Sequence, residues 1–176
     1  MTRYTSQGAT FSQDRRFRWT LWRTWESGLF PAPRQSTALW VMLNPSTADE
    51  HVLDPTIRRC EDFSRRWGYS GLVVCNLFAY RSTDPNALRF VSKKGHDIVG
   101  SEWNDLNIAN QALQAAVVIT AWGNDGRLND RDQVVMAVLR EAASGRLFHL
   151  GLNSDGTPKH PLYLPKETAL IRWDQP

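Results

Sequence analysis

Four short stretches of this chain are apolar almost without interruption: Ala38-Leu39-Trp40-Val41-Met42-Leu43, Leu72-Val73-Val74-Cys75-Asn76-Leu77-Phe78, Ala116-Val117-Val118-Ile119-Thr120 and Leu147-Phe148-His149-Leu150. Runs of this length without polar alternation predict strands buried on both faces, the kind found in parallel sheets covered by helices. Residues 17–25 behave differently. Phe17, Trp19, Leu21 and Trp25 make one apolar face broken only by Arg23, which predicts an antiparallel edge strand, either single or half of a hairpin.

Between these runs the apolar spacing turns helical. Asp54-Pro55 offers an N-cap followed by proline at the first helical position, and Ile57, Cys60, Phe63, Ser64 and Trp67 then form one stripe ended by Gly68. A second helix is expected over about 101–115 with Trp103, Leu106, Ala109 and Leu113 inward. A third follows the capping-box pattern Asp130-x-x-Gln133, with Val134, Val138 and Ala142 on its inner face. Residues 79–100 and 153–165 read as long connections. Strand-helix-strand units at this spacing make right-handed parallel crossovers. The expected fold is therefore α/β: one domain over residues 1–176, a three-layer α/β/α sandwich around a central, mainly parallel four-stranded sheet, with the antiparallel strand or hairpin added at its N-terminal side.

Composition narrows the class. The 176 residues suffice for one self-supporting core. No run is long enough to span a bilayer, and the polar, arginine-containing start lacks the apolar segment of a secretory signal, so a cytoplasmic protein with no membrane partner is expected. Cys60 and Cys75 fall at apolar positions and read as reduced core residues. No Cys/His spacing fits a metal site, and no glycine-rich loop points to a cofactor. Charge is unevenly placed: residues 1–96 hold 14 basic against 8 acidic residues, and residues 97–176 hold 7 against 10. A basic half suits a phosphate-bearing partner.

The candidate chemistry gathers where strands end. In open α/β sheets ligands bind beyond the carboxyl ends of the strands. There the chain carries Asn44-Pro45-Ser46-Thr47, Asn76 with Phe78, Gly123-Asn124 and, beyond the fourth strand, His160-Pro161. Asn44 can orient a water or a carbonyl but is no base, since its amide does not titrate. Asp49 and Asp54 could supply a carboxylate, although Asp54 is equally an N-cap and Thr47-x-x-Glu50 a capping box. The paired donor and acceptor of Asn76 suit the edge of a nucleobase, and Phe78 a stacked base. His160, held extended by Pro161, can donate a hydrogen bond to a developing anion. Pro45, Ser46, Thr47, Gly123 and Asn124 would line the base site, with Arg58, Arg59, Arg81 and Lys159 as phosphate contacts. His149 reads as structural.

From Leu39 to Tyr163 the chain resembles the bacterial and phage family known as domain of unknown function 1643, through Met42-Leu43-Asn44-Pro45-Ser46-Thr47-Ala48-Asp49, Asp54-Pro55-Thr56-x-Arg58-Arg59, Asn76-Leu77-Phe78-Ala79-x-Arg81 and His160-Pro161-Leu162-Tyr163. More distantly it resembles the uracil-DNA glycosylase superfamily, whose strand-end Asn-Pro, base-reading Asn and late His-Pro motifs correspond in order to Asn44-Pro45, Asn76 and His160-Pro161. Met42 and Ser46 stand where that superfamily carries glycines, and Leu162 where it carries the serine of its DNA-pinching loop. The resemblance implies a nucleobase-processing enzyme that hydrolyses an N-glycosidic bond of a modified or deaminated base, in DNA or in a nucleotide. Asn44 would hold the water, Asn76 would read the base and His160 would steady the leaving base. The alternatives are a non-catalytic module binding nucleotides or nucleic acid, and a base-modifying enzyme on the same scaffold.

Overall fold

In the computed structural model, residues 4–26, 36–46 and 54–173 are described. They form a sheet of seven strands, four helices and two short 3₁₀ segments. Two antiparallel strands come first, β1 (Tyr4–Phe11) and β2 (Arg18–Trp25). Then follow β3 (Thr37–Met42), α1 (Pro55–Arg66), β4 (Gly71–Asn76), α2 (Pro85–Lys93), α3 (Ser101–Gln114), β5 (Val117–Thr120), α4 (Arg131–Ala142), β6 (Leu147–His149) and β7 (Ile171–Arg172). The sheet order is β1-β2-β4-β3-β5-β6-β7. The four apolar runs are the four mutually parallel strands β4, β3, β5 and β6. The sheet as a whole is mixed and larger than the four strands expected, because β1 and β2 extend one side and β7 caps the other, all in antiparallel pairing.

Alternation along β3 shows how the layers are built. Ala38, Trp40 and Met42 face α1, where they pack with Ile57, Cys60 and Phe63. Leu39 and Val41 face the opposite way, into a core shared with Ile108 and Ala112 of α3 and Val135 and Leu139 of α4. Successive side chains of a strand point to opposite faces, so a strand apolar on both faces needs a helical layer on each. The fully buried Trp40 satisfies its indole N–H on Ser64 Oγ at 3.0 Å, and that hydroxyl donates in turn to the carbonyl of Cys60.

The N-terminal strand is one arm of a hairpin, and it lies between β1 and β4 rather than at the edge. The edge is the polar β1, whose side chains mostly face solvent and so carry no apolar signal. Arg23, the break in the apolar face, is buried. It donates to the hydroxyl of Tyr4, which donates to Glu61 at 2.7 Å. Pairing shifts between Thr10↔Thr20 and Phe11↔Arg18, so β2 carries one extra residue there. Such a bulge re-aims the side chains around it: Arg18 turns to the α1 side of the sheet with Met42, Ile57 and Val74, while Trp19 packs against Gly100 and Ala79.

Three helical expectations need correction. The connection 79–100 contains α2, capped by Asp84, whose carboxylate accepts from the Asn86 amide at 2.9 Å. In α3 the buried residues are Asn104, Ile108 and Ala112, whereas Trp103, Leu106 and Leu113 are exposed, Trp103 to 64%. Asn104 takes the inner face because its amide Nδ2 donates to the carbonyls of Asn76 and Leu77 at the end of β4, the second of which also accepts from Arg131 Nε. In α4, Arg131, Val135 and Leu139 face inward and Val134 is exposed. Asp130 makes no side-chain cap bond there. Its left-handed backbone, continuing the 3₁₀ segment Asn124–Asp130, aims its carboxylate at the Gln133 side chain instead.

Candidate functional site

A cavity of about 530 Å³ opens at the carboxyl ends of β3, β4 and β5, on the α1 side of the sheet. Each wall has a local cause. β3 delivers Met42, Leu43 and Asn44. The turn after it is clipped to the loop after β4: the Asn44 amide Nδ2 donates to the carbonyls of Pro45 (3.1 Å) and Ser82 (2.9 Å), and the Ser82 N–H donates to Pro45. Both N–H groups of Asn44 are thereby spent on backbone, which leaves its Oδ1 as the acceptor for a ligand. β4 delivers Asn76, 1% exposed, whose Nδ2 is buried without a partner among the described residues. β5 leads into Trp122-Gly123-Asn124. Gly123 turns the chain at φ +76, and a side chain at Gly126 would collide with the Trp122 indole, so glycine lets the loop close over that ring.

The remaining walls come from α1 and from the tail. Asp54 caps α1, with Oδ1 accepting from the amides of Thr56 (2.6 Å) and Ile57 (3.4 Å). The 3₁₀ segment Pro161–Tyr163 brings in His160 and Tyr163. Nδ1 of His160 accepts from the Leu162 amide at 3.4 Å. That contact selects the tautomer protonated at Nε2, so the ring can offer an N–H donor. Burial pushes the His160 pKa below its ordinary value, against the opposing pull of the Asp54 carboxylate. The ring is therefore neutral at neutral pH.

Arg18 completes the site. It is 3% exposed, lines the cavity, and its Nε is buried without a partner among the described residues. None of the ion pairs among the described residues includes it. Burial lowers its pKa to about 10, and the charge of Asp54 works in the other direction. Ser46 Oγ and Trp122 Nε1 are further buried polar atoms in the same wall without a partner among the described residues. All four of these orphaned groups, Arg18 Nε, Ser46 Oγ, Asn76 Nδ2 and Trp122 Nε1, can donate a hydrogen bond. Buried polar groups are nearly always paired in native proteins, so a cluster of unpaired donors around one cavity calls for a ligand rich in acceptors.

The structure brings together Asn44, Ser46, Asn76, Gly123, Asn124 and His160 as cavity-lining residues. Asn124 Oδ1 is engaged by the Thr157 hydroxyl at 3.2 Å. Pro45 is buried behind the wall and holds the turn through its carbonyl. Thr47 and Asp49 lie outside the described residues, as do Glu50 and His51. Phe78 is not a stacking platform: it is fully buried in the core on the α3 side, where a strand-end aromatic finds more apolar partners than at a polar opening. The aromatic rings that line the cavity are Trp122 and the 85% exposed Tyr163.

The four proposed phosphate contacts stand apart from this cavity. Arg58 and Arg59 line a shallower hollow with Pro55 and Asp62. Arg59 also lies over the Phe63 ring and donates to the carbonyl of Leu164, fastening the segment that follows His160 to α1. Arg81 reaches the Arg15 carbonyl and the Phe11 ring. The stem of Lys159 lies beside Gly151. The basic residue that does enter the cavity, Arg18, carries no sequence signal for it. Its position reads as one more residue of an aromatic strand, and only the bulge aims it. His149 is structural as read, its Nδ1 accepting from the Gly151 amide and its ring against Trp173.

Among the described residues no group of three His, Cys, Asp or Glu side chains is placed to hold a metal ion, and no helix is long and apolar enough to cross a membrane. The family model described as "Protein of unknown function (DUF1643)" matches residues 18–162, a span that holds the cavity-lining residues named above except Tyr163. No curated protein and no solved structure matches the chain.

Proposed function

The chain belongs to the DUF1643 family, and we propose that its cavity receives a nucleobase still joined to its sugar, in DNA or in a nucleotide, and hydrolyses the N-glycosidic bond on a scaffold of uracil-DNA glycosylase type. One observation carries this reading: Asn44 with a free acceptor, Asn76 with a buried unpaired donor and His160 in its Nε2–H tautomer line a single cavity.

Each group takes one role. Asn44 Oδ1 holds the attacking water. As the water oxygen bonds to the anomeric carbon, the carbon–nitrogen bond breaks and its electron pair leaves with the base. His160 Nε2–H donates to the base as negative charge builds on it, a task suited to a neutral imidazole already in place. Asn76 reads the edge of the base. Asp54 is the cavity carboxylate that takes the proton the water gives up, while the departing base gains one from solvent. The other acid in the wall, Asp125, is paired with Arg89 at 2.8 Å. A base in DNA would have to be flipped out of the duplex or presented in a single strand to reach this site.

The test is a mass-spectrometric search for free base released from nucleotides and from single- and double-stranded oligonucleotides carrying normal, deaminated and modified bases. The reading expects release by the wild type and none by Asn44→Ala or His160→Ala variants that remain folded. Wild-type turnover in either variant would assign the chemistry elsewhere. Oligonucleotide or nucleotide binding without release from any substrate would make the cavity a recognition site only.

A further inference from the structure

We propose that the Arg18 side of the cavity is a subsite for a terminal phosphomonoester, the charged end of a nucleotide or of a 5′-phosphorylated strand. This deepens the reading of the cavity as a nucleotide site and does not depend on hydrolysis.

A guanidinium removed from water demands compensation, because an unpaired buried charge is among the most costly features a fold can hold. Among the described residues Arg18 has none in contact. Asp54, the acid whose charge it feels, spends one oxygen on the amides of α1, and the remaining wall acid, Asp125, belongs to Arg89. The missing partner is a ligand with full negative charge. Neutral base carbonyls would satisfy the N–H groups and leave the charge uncompensated, whereas phosphate matches both the planar fork of arginine and its charge. Trp122 Nε1 and Ser46 Oγ add donors unpaired among the described residues to the same cavity. At 3% exposure Arg18 is reached through the cavity. A phosphodiester inside a strand continues on both sides and does not fit into such a recess, so the group that reaches Arg18 is a chain end.

Calorimetry on the full chain tests this with matched pairs: nucleosides against their 5′-monophosphates, and oligonucleotides with a 5′-hydroxyl against the same strands with a 5′-phosphate, with inorganic phosphate as competitor. A charge-assisted hydrogen bond to a buried partner predicts that the phosphorylated member binds roughly tenfold tighter or more. The advantage should disappear in Arg18→Met, which keeps the apolar stem, and return in part in Arg18→Lys. An advantage confined to free monophosphates would identify a nucleotide pool as the source, and one shared by phosphorylated strands a nucleic-acid end; either supports the subsite. Equal binding of nucleoside and monophosphate by the wild type, a comparison that needs no variant, would overturn it, as would an advantage that survives Arg18→Met. Arg18-dependent phosphate binding without base release would sink the hydrolase reading and leave the subsite standing. Base release from unphosphorylated nucleosides at undiminished rate would do the reverse.

Discussion

Beside its proposed part in the chemistry, Asp54 has two jobs that substitution can separate. Its carboxylate caps α1 through the amides of Thr56 and Ile57, and its charge acts on Arg18 and His160 across the cavity. Asparagine caps a helix about as well as aspartate, whereas alanine does not. The stability difference between Asp54→Asn and Asp54→Ala therefore isolates the cap, at about 1 kcal/mol. For a chain of this size that corresponds to a melting temperature roughly 2–4 °C lower in the alanine variant than in the asparagine variant. The difference between wild type and Asp54→Asn isolates the charge, and it should shrink in an Arg18→Met background, where no buried cation remains to lose its neighbour. In both Asp54 variants the His160 pKa, followed by NMR titration, should fall further, because the one named influence that raises it is gone. The assay is chemical denaturation at neutral pH beside that titration. Equal stability of the two Asp54 variants would refute the cap, and an unmoved His160 titration would refute the electrostatic coupling.

Ser64→Ala strips the Trp40 indole N–H of its hydrogen-bond acceptor in a fully buried position, and should cost about 1–3 kcal/mol, read as a lower denaturant midpoint with an unchanged slope. The pH dependence has a definite sign. Folding depresses the His160 pKa below its ordinary 6.5, so the unfolded chain binds the proton more readily. Its contribution to stability is thus complete above that value and is lost as pH falls through the folded pKa, a slope that His160→Gln should remove.

The sequence was most legible where burial on two faces leaves a simple mark. Trp40 and its neighbours, and the Asp54-Pro55 helix start, announce β3 and α1 because apolar runs and caps are local signals. Strand ends are equally local, so Asn44, Asn76 and His160 could be placed at one edge. The polar β1 could not be read, since an edge strand exposed to water needs no apolar pattern, although it decides that β2 lies inside the sheet. The face of α3 was misread because its inner side is set by Asn104, a polar residue buried to satisfy the carbonyls ending β4. Asp84-Pro85 repeats the signal of Asp54-Pro55, yet its helix hid inside a stretch that read as a connection. Arg18 was out of reach of any pattern: one extra residue in β2, visible only in the pairing with β1, turns it from the α3 side of the sheet into the cavity.

The most direct test of the central claim is a single-turnover reaction in ¹⁸O-labelled water, with the sugar and base products weighed separately. The account predicts the heavy oxygen on the sugar at the carbon that held the base, none on the released base, and neither product when Asn44 is replaced by alanine. Label on the base, or a base released with no oxygen transferred from water to the sugar, would contradict hydrolysis of the N-glycosidic bond.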